Sequence, residues 1–196
     1  MYNSLEYAFE LKRRLAGQPL PVLAAFSVAC TDHAFRLVGP SFSNDEWISV
    51  EDIQLVQHAL DLLWQAQTEK VDPNILAKGV EQIESLVPDD DSDSARAATE
   101  AVGGWVYFLT SLYSSLRCQL GQDPPYWAQQ SAENAFNTLF QRELYRFMRE
   151  QGRGYSDSDE SEVMSNAPIL AQEIGFQWQC LERCKQGLPI ERPSFQ

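Results

Sequence analysis

Sixteen consecutive residues, Ala101 to Leu116, carry no charge, and they lie within the longer stretch Ala95 to Leu120. Val102, Trp105, Leu109, Leu112 and Leu116 recur at helical spacing, while Ala101, Val106, Phe108 and Tyr113 cover much of the remaining circumference. A helix apolar nearly all round has to be buried. A membrane span needs about 20 apolar residues. This run is shorter, contains Gly103, Gly104, Thr110, Ser111, Ser114 and Ser115, and meets Arg117 at once. It reads as the central helix, about 95–120, of a soluble core, with Gly103 and Gly104 letting another helix approach closely.

The rest of the chain supplies helices to pack around it. Asn3-Ser4-Leu5-Glu6 reads as a capping box opening a helix with Leu5, Phe9 and Leu15 inward, ended by Gly17. Pro21 suits the first turn of a second helix with Leu23, Phe26, Cys30, His33 and Leu37 on its apolar face, stopped by Gly39-Pro40. Ser49 with Asp52 caps a third, which turns Ile53, Val56, Leu60, Leu63 and Trp64 inward, and Asp72-Pro73 opens a fourth through Leu76, Val80, Ile83 and Val87. An acidic loop near 89–94 precedes the central helix. Gly121 ends that helix, Asp123-Pro124-Pro125 caps a sixth running through Ala128, Ala132, Ala135, Leu139 and Phe147 to Gly152, and a second acidic loop occupies 156–162. Asn166-Ala167-Pro168 opens the last helix, with Leu170, Ile174, Gln177, Leu181 and Cys184 inward, before a tail at 188–196. Nothing alternates like a strand and nothing repeats at a period of about 20 to 50 residues. The expected fold is all-α, a single domain over 1–196 with about seven helices around a buried central one.

At 196 residues and 44% hydrophobic content the chain can bury a full core as one domain. Fifteen Lys and Arg against 28 Asp and Glu leave a net charge of -13, which repels phosphate backbones and anionic membrane surfaces. Nucleic acid and membrane are therefore excluded as expected partners, whereas a basic protein would be attracted. Cys30, Cys118, Cys180 and Cys184 are too few and too irregular for a disulfide scaffold, which predicts reduced thiols in a cytoplasm. Lys12-Arg13-Arg14 before the apolar run ending Ser27-Val28-Ala29-Cys30 echoes a lipoprotein export signal, but Glu6 and Glu10 lie where the leader should be basic and Ser27 where Leu is expected. That segment reads as internal helix.

Several local patterns, spread over most of the chain, together resemble the YjaG family of bacterial proteins. They are Phe9-Glu10-Leu11, Ala25-Phe26 with Cys30, Leu60-Asp61-Leu62-Leu63-Trp64, Leu86-Val87-Pro88-Asp89, and Asn166-Ala167-Pro168 with Gln172-Glu173 and Phe176-Gln177-Trp178. The resemblance implies a helical, cytoplasmic protein without an established activity. These are packing and capping positions, so the likeness speaks to fold more than to function. The chain departs from the family after Cys30, where Thr31-Asp32-His33-Ala34 replaces a Glu-Arg pair and a proline.

Candidate chemistry is sparse. Asp89, Asp91, Asp93 and Glu100 fall at positions one, three, five and twelve of a calcium-binding loop, but Ser94 stands where the sharp turn needs Gly. A solvated helix cap accounts for them better. A metal would require convergence of Asp32, His33, His58, Asp61 and the Cys180–Cys184 pair, without any second CxxC or HxxxH to complete it; buried thiols and a core histidine are preferred, and no cofactor or metal is expected. No nucleophile elbow, Walker loop or dinucleotide fingerprint is present, and Glu173 is the remaining acid/base candidate. The least ordinary feature is a row of Arg142, Arg146, Arg149 and Arg153 on one face of the sixth helix, able to clamp carboxylates or phosphates or else to pair internally.

Two function classes remain. The preferred one is a non-enzymatic module that contacts another protein, with an immunity-type inhibitor of a basic toxin as a specific version steered by opposite charge. The rival is a small-ligand or metal-binding helical protein with a pocket between helices, using His33 or His58 with Asp61 or Glu173. Trp47, Tyr126 and Trp127 offer a surface for self-association.

Overall fold

The computed structural model describes residues 4–43, 48–87, 104–152 and 156–192. Among them are eight helices and no strand: α1 Ser4–Leu15, α2 Leu20–Phe42, α3 Val50–Thr68, α4 Pro73–Glu84, α5 Trp105–Gln119, α6 Pro124–Gln151, α7 Asp157–Asn166 and α8 Pro168–Lys185. The fold is all-α, as expected. The calcium-loop residues 89–100, Trp47 and Arg153 lie outside the described residues.

From Trp105 on, the uncharged stretch does form the centre. No residue of α5 is exposed, and Phe108, Leu109, Leu112 and Leu116 are wholly enclosed; truncating any one of these leucines to Ala would cost about 2–5 kcal/mol. Its start differs from expectation. Gly104 precedes the helix with φ of 117°, a left-handed conformation, so α5 begins at Trp105, and the expected helix residues 95–103 lie outside the described residues. Close approach is the reason a glycine is needed there, since a Cβ would stand 2.5 Å from the Thr138 carbonyl oxygen of α6.

A second central helix is α2. It is long and apolar enough, by length and composition, to cross a membrane, yet 72% of its most apolar window is buried inside the protein against α5, α6 and α8. It also runs through Gly39-Pro40 instead of stopping there, because proline so near a C-terminus forfeits a single intrahelical bond and Ser43 N still reaches the Gly39 carbonyl at 3.0 Å. Where α2, α5 and α6 cross, the packing is polar and small. Thr31 Oγ1 lies 2.8 Å from Ser111 Oγ, 2.8 Å from Ser115 Oγ and 3.0 Å from Ser131 Oγ, while Ser131 donates to the Ser27 carbonyl. Each buried hydroxyl thus has a partner, which is the condition for tolerating it in a core.

Three further expectations are corrected. In α1 the inward face is Tyr7, Leu11 and Leu15, at i, i+4 and i+8, while Phe9 is 74% exposed. Asp123 does not cap α6 through its side chain; its backbone is left-handed at φ 41°. The acidic segment 156–162 is no loop, because Ser156 and Asp159 make a reciprocal capping box that starts α7. The cap at Ser49–Asp52 and the Asp72 cap of α4 form as read from the sequence.

Candidate functional site

Two consecutive residues of α2, Asp32 and His33, each lead into a cluster of ionisable groups. His33 turns toward α8, where its Nδ1 lies 2.6 Å from Glu173 Oε2. Glu173 is fully buried, and its other oxygen accepts from Gln177 Nε2 at 2.8 Å. Gln177 Nε2 also donates to the Ala132 carbonyl at 3.1 Å, and its Oε1 accepts from Tyr7 Oη at 2.5 Å. The result is a continuous hydrogen-bonded chain from the core to a histidine whose side chain is 25% exposed. Phe176 stacks on the His33 ring with centroids 3.8 Å apart, so the imidazole is held in orientation by a ring on one face and a carboxylate at one edge. Chemically, an imidazole anchored through Nδ1 by a carboxylate is suited to moving a proton or binding a ligand through Nε2.

Three of the four thiols, Cys30, Cys118 and Cys180, are held protonated. Burial pushes Cys30 well above the ordinary range, with Glu173 adding to it, and pushes Cys118 up to about 12. Cys180 and Cys184 share a hydrogen bond that raises the first and lowers the second. Burial, reinforced by Cys30 and Glu173, raises the Tyr7 phenol as well.

Asp32 leads the other way, toward α3 and the tail. Its side chain is 2% exposed, with Oδ2 accepting from Arg36 Nε at 2.6 Å. Arg192, in the segment after α8, donates from Nη1 to Asp61 Oδ1 of α3 at 2.6 Å and brings Nε within 3.6 Å of Asp32 Oδ1. At that distance neither Asp32 Oδ1 nor Arg192 Nε makes a hydrogen bond, and both atoms are buried. A cavity of about 270 Å³ opens beside them, lined by Phe35, Gln57, Leu60, Asp61 and Arg192.

The remaining candidates disperse. His58 lines a groove between α3 and α4 with Ile75 and Lys78, away from the Glu173 cluster, and its i+3 neighbour Asp61 is engaged by Arg192. Among the described residues no three His, Cys, Asp or Glu side chains come together as a metal site would require. Of the arginine row, Arg142 donates to the Leu37 carbonyl at 2.7 Å and pairs with Glu143, and Arg146 pairs with the same buried carboxylate and with Glu150. Arg149 is exposed. Sequence reasoning singled out His33, Glu173, Asp32 and Asp61 separately but missed Tyr7, Arg36 and Arg192. The i, i+4 spacing of Tyr7, Leu11 and Leu15, and of Asp32 and Arg36, is the signal that would have found two of them.

A family model described as "Protein of unknown function (DUF416)" matches residues 42–192. The match takes in Asp61, Glu173, Gln177 and Arg192 and leaves Tyr7, Asp32 and His33 before its first residue. No curated protein and no solved structure matches the chain.

Proposed function

The chain belongs to the DUF416 family of proteins of unknown function, and we propose that it acts as a non-enzymatic module that docks a basic protein through the α3–α4 hairpin. One observation carries the reading: between Val50 and Glu84 the chain has seven carboxylates, Glu51, Asp52, Asp61, Glu69, Asp72, Glu81 and Glu84, against two lysines, Lys70 and Lys78. All but Asp52 are exposed. Of the arginines, Arg142 and Arg146 are engaged by the buried Glu143, while Arg192 pairs with Asp61 among these seven carboxylates. An acidic face of this kind speeds encounter with a cationic partner, and the speed falls as salt screens it. An immunity-type inhibitor of a basic toxin is the form of partner pairing that such steering serves best.

The test is capture from an extract of its own cells at low and at high salt, using the wild type and a variant with Glu51, Asp61, Glu81 and Glu84 changed to Lys. A stoichiometric basic protein held by the wild type at low salt, weakened at high salt and lost by the variant is the expected result. Equal retention by both proteins, or retention of no basic protein, would overturn the reading.

A second reading, a small-ligand or proton-handling site, draws on the His33–Glu173–Gln177–Tyr7 chain. It expects a ligand-induced thermal shift in the wild type that His33→Phe removes; a metabolite and metal screen without any such hit would dismiss it.

A further inference from the structure

We propose that Asp32 and Asp61 form a receptor for an arginine side chain of the basic partner, and that this chain's own Arg192 covers that receptor until the partner arrives. The inference rests on the docking reading above and assigns its anchor point.

The two carboxylates come from different helices, α2 and α3, and face one guanidinium between them. Asp32 is already positioned, because Arg36 holds its Oδ2 at 2.6 Å and leaves Oδ1 open. A buried carboxylate oxygen without a hydrogen bond is costly, and so is a buried guanidinium N–H. Arg192 therefore fits its own site poorly: it bonds Asp61 well but stops 3.6 Å from Asp32, leaving one atom of each unsatisfied. A guanidinium entering at a slightly different angle would reach both carboxylates through its planar fork, which a lysine ammonium cannot match.

The surroundings suit that occupant. The adjoining cavity of about 270 Å³ has Phe35 and Leu60 on its walls to take an aliphatic stem and Gln57 and Asp61 to meet a polar head. Displacing Arg192 removes one positive charge and leaves two carboxylates against Arg36. The covering segment is also weakly tied down. After α8 ends at Lys185 no further helix follows among the described residues, and the segment is held by Leu188 N on the Arg183 carbonyl, by Arg183 on the Pro189 carbonyl and by the packing of Ile190. A tethered side chain competes at high effective concentration, so a free arginine is a weak ligand of the wild type and a partner needs its further acidic contacts on α3 and α4 to win.

The experiment is an NMR titration at low salt with N-acetyl-arginine amide and N-acetyl-lysine amide, on the wild type, Arg192→Ala, and Arg192→Ala combined with Asp61→Asn. Asp61 is 63% exposed, so its substitution leaves the core intact. Uncovering the site should strengthen arginine binding roughly tenfold over wild type, with shifts centred on α2 and α3, little response to the lysine probe, and loss in the double variant. Arginine binding that Arg192→Ala leaves unchanged, that equals lysine binding, or that survives Asp61→Asn would overturn the proposal. If capture retains a basic partner while the uncovered site ignores arginine, the anchor is wrong and the docking reading stands. If arginine binds as stated but no basic protein is captured, the receptor stands and the docking reading falls.

Discussion

Asp32 and His33 stand side by side on α2, yet the regions they lead into are built on opposite terms. On the His33 side every polar atom of Glu173 and Gln177 is matched: two acceptors take two donors, and the glutamine carbonyl takes the tyrosine hydroxyl. On the Asp32 side four charges alternate in sign, but Asp32 Oδ1 and Arg192 Nε remain without a hydrogen bond to each other or to any other group. A matched network under a stacked Phe176 ring holds helices α1, α2, α6 and α8 in one arrangement, and disturbing it costs stability. An incompletely matched pair at the edge of a cavity has bonding capacity left to give to a ligand. The lesson is that burial of charge does not by itself mark a working site; incomplete satisfaction at an accessible edge does.

Four outcomes test this contrast, the largest first. Glu173→Ala should lower unfolding free energy by about 2–4 kcal/mol, because it deprives one Gln177 amide N–H and His33 Nδ1 of their partner and leaves a void; urea denaturation measures it, and a loss near zero would place the network outside the stabilising core. Tyr7→Phe should cost less, about 1–2 kcal/mol, by leaving Gln177 Oε1 without its donor. It is read in the same denaturation experiment. Arg192→Ala should cost only about 0–1 kcal/mol, since its side chain is 31% exposed and its charges are screened. A thermal melt checks this, and a large drop would mean that the tail is part of the core.

The smallest effect concerns a cluster within α1, where Glu10, 19% exposed, meets Arg13 and Arg14. Arg13 and Arg14, by hydrogen bonding, hold the Glu10 carboxyl down to about 2 from an ordinary 4.5. Because the folded value is lowered, the stabilisation is complete above 4.5 and disappears as pH falls toward 2. Glu10→Gln should therefore lower stability slightly at neutral pH, flatten the acid side of the profile and leave stability near pH 2 unchanged, as a pH series of melts would record. A loss at neutral pH larger than that of Arg192→Ala would reverse the order of the two clusters.

Much of the architecture was legible locally. The Ser49–Asp52 and Asp72 caps, the glycine at 152 and the apolar stripe Trp105–Leu109–Leu112–Leu116 depend on residues within a turn or two of each other, and they form as read. Errors arose where a local signal had two outcomes. The acidic run after Ser156 suits a solvated loop or a capped helix, and the reciprocal bond with Asp159 selects the helix. Gly104 within an apolar run suits a tolerated helix glycine or a helix start, and contact with Thr138, 34 positions on, selects the start. Apolar character alone places Phe9 inward, whereas the partner helices meet the face that carries Tyr7.

What the order of residues determined by itself is therefore the helical class, the position of most caps, the identity of α5 as a core helix and the acidic character of α3 and α4. These follow from periodicity, from hydrogen bonds spanning three or four residues, and from charge. What only the tertiary structure decided is which charge meets which. His33 finds Glu173 across 140 positions and Arg192 finds Asp61 across 131, and no local rule reaches so far. Those meetings depend on how helices pack, and packing is settled by the summed fit of many apolar contacts, after which each ionisable group takes the partner that the arrangement places within its reach.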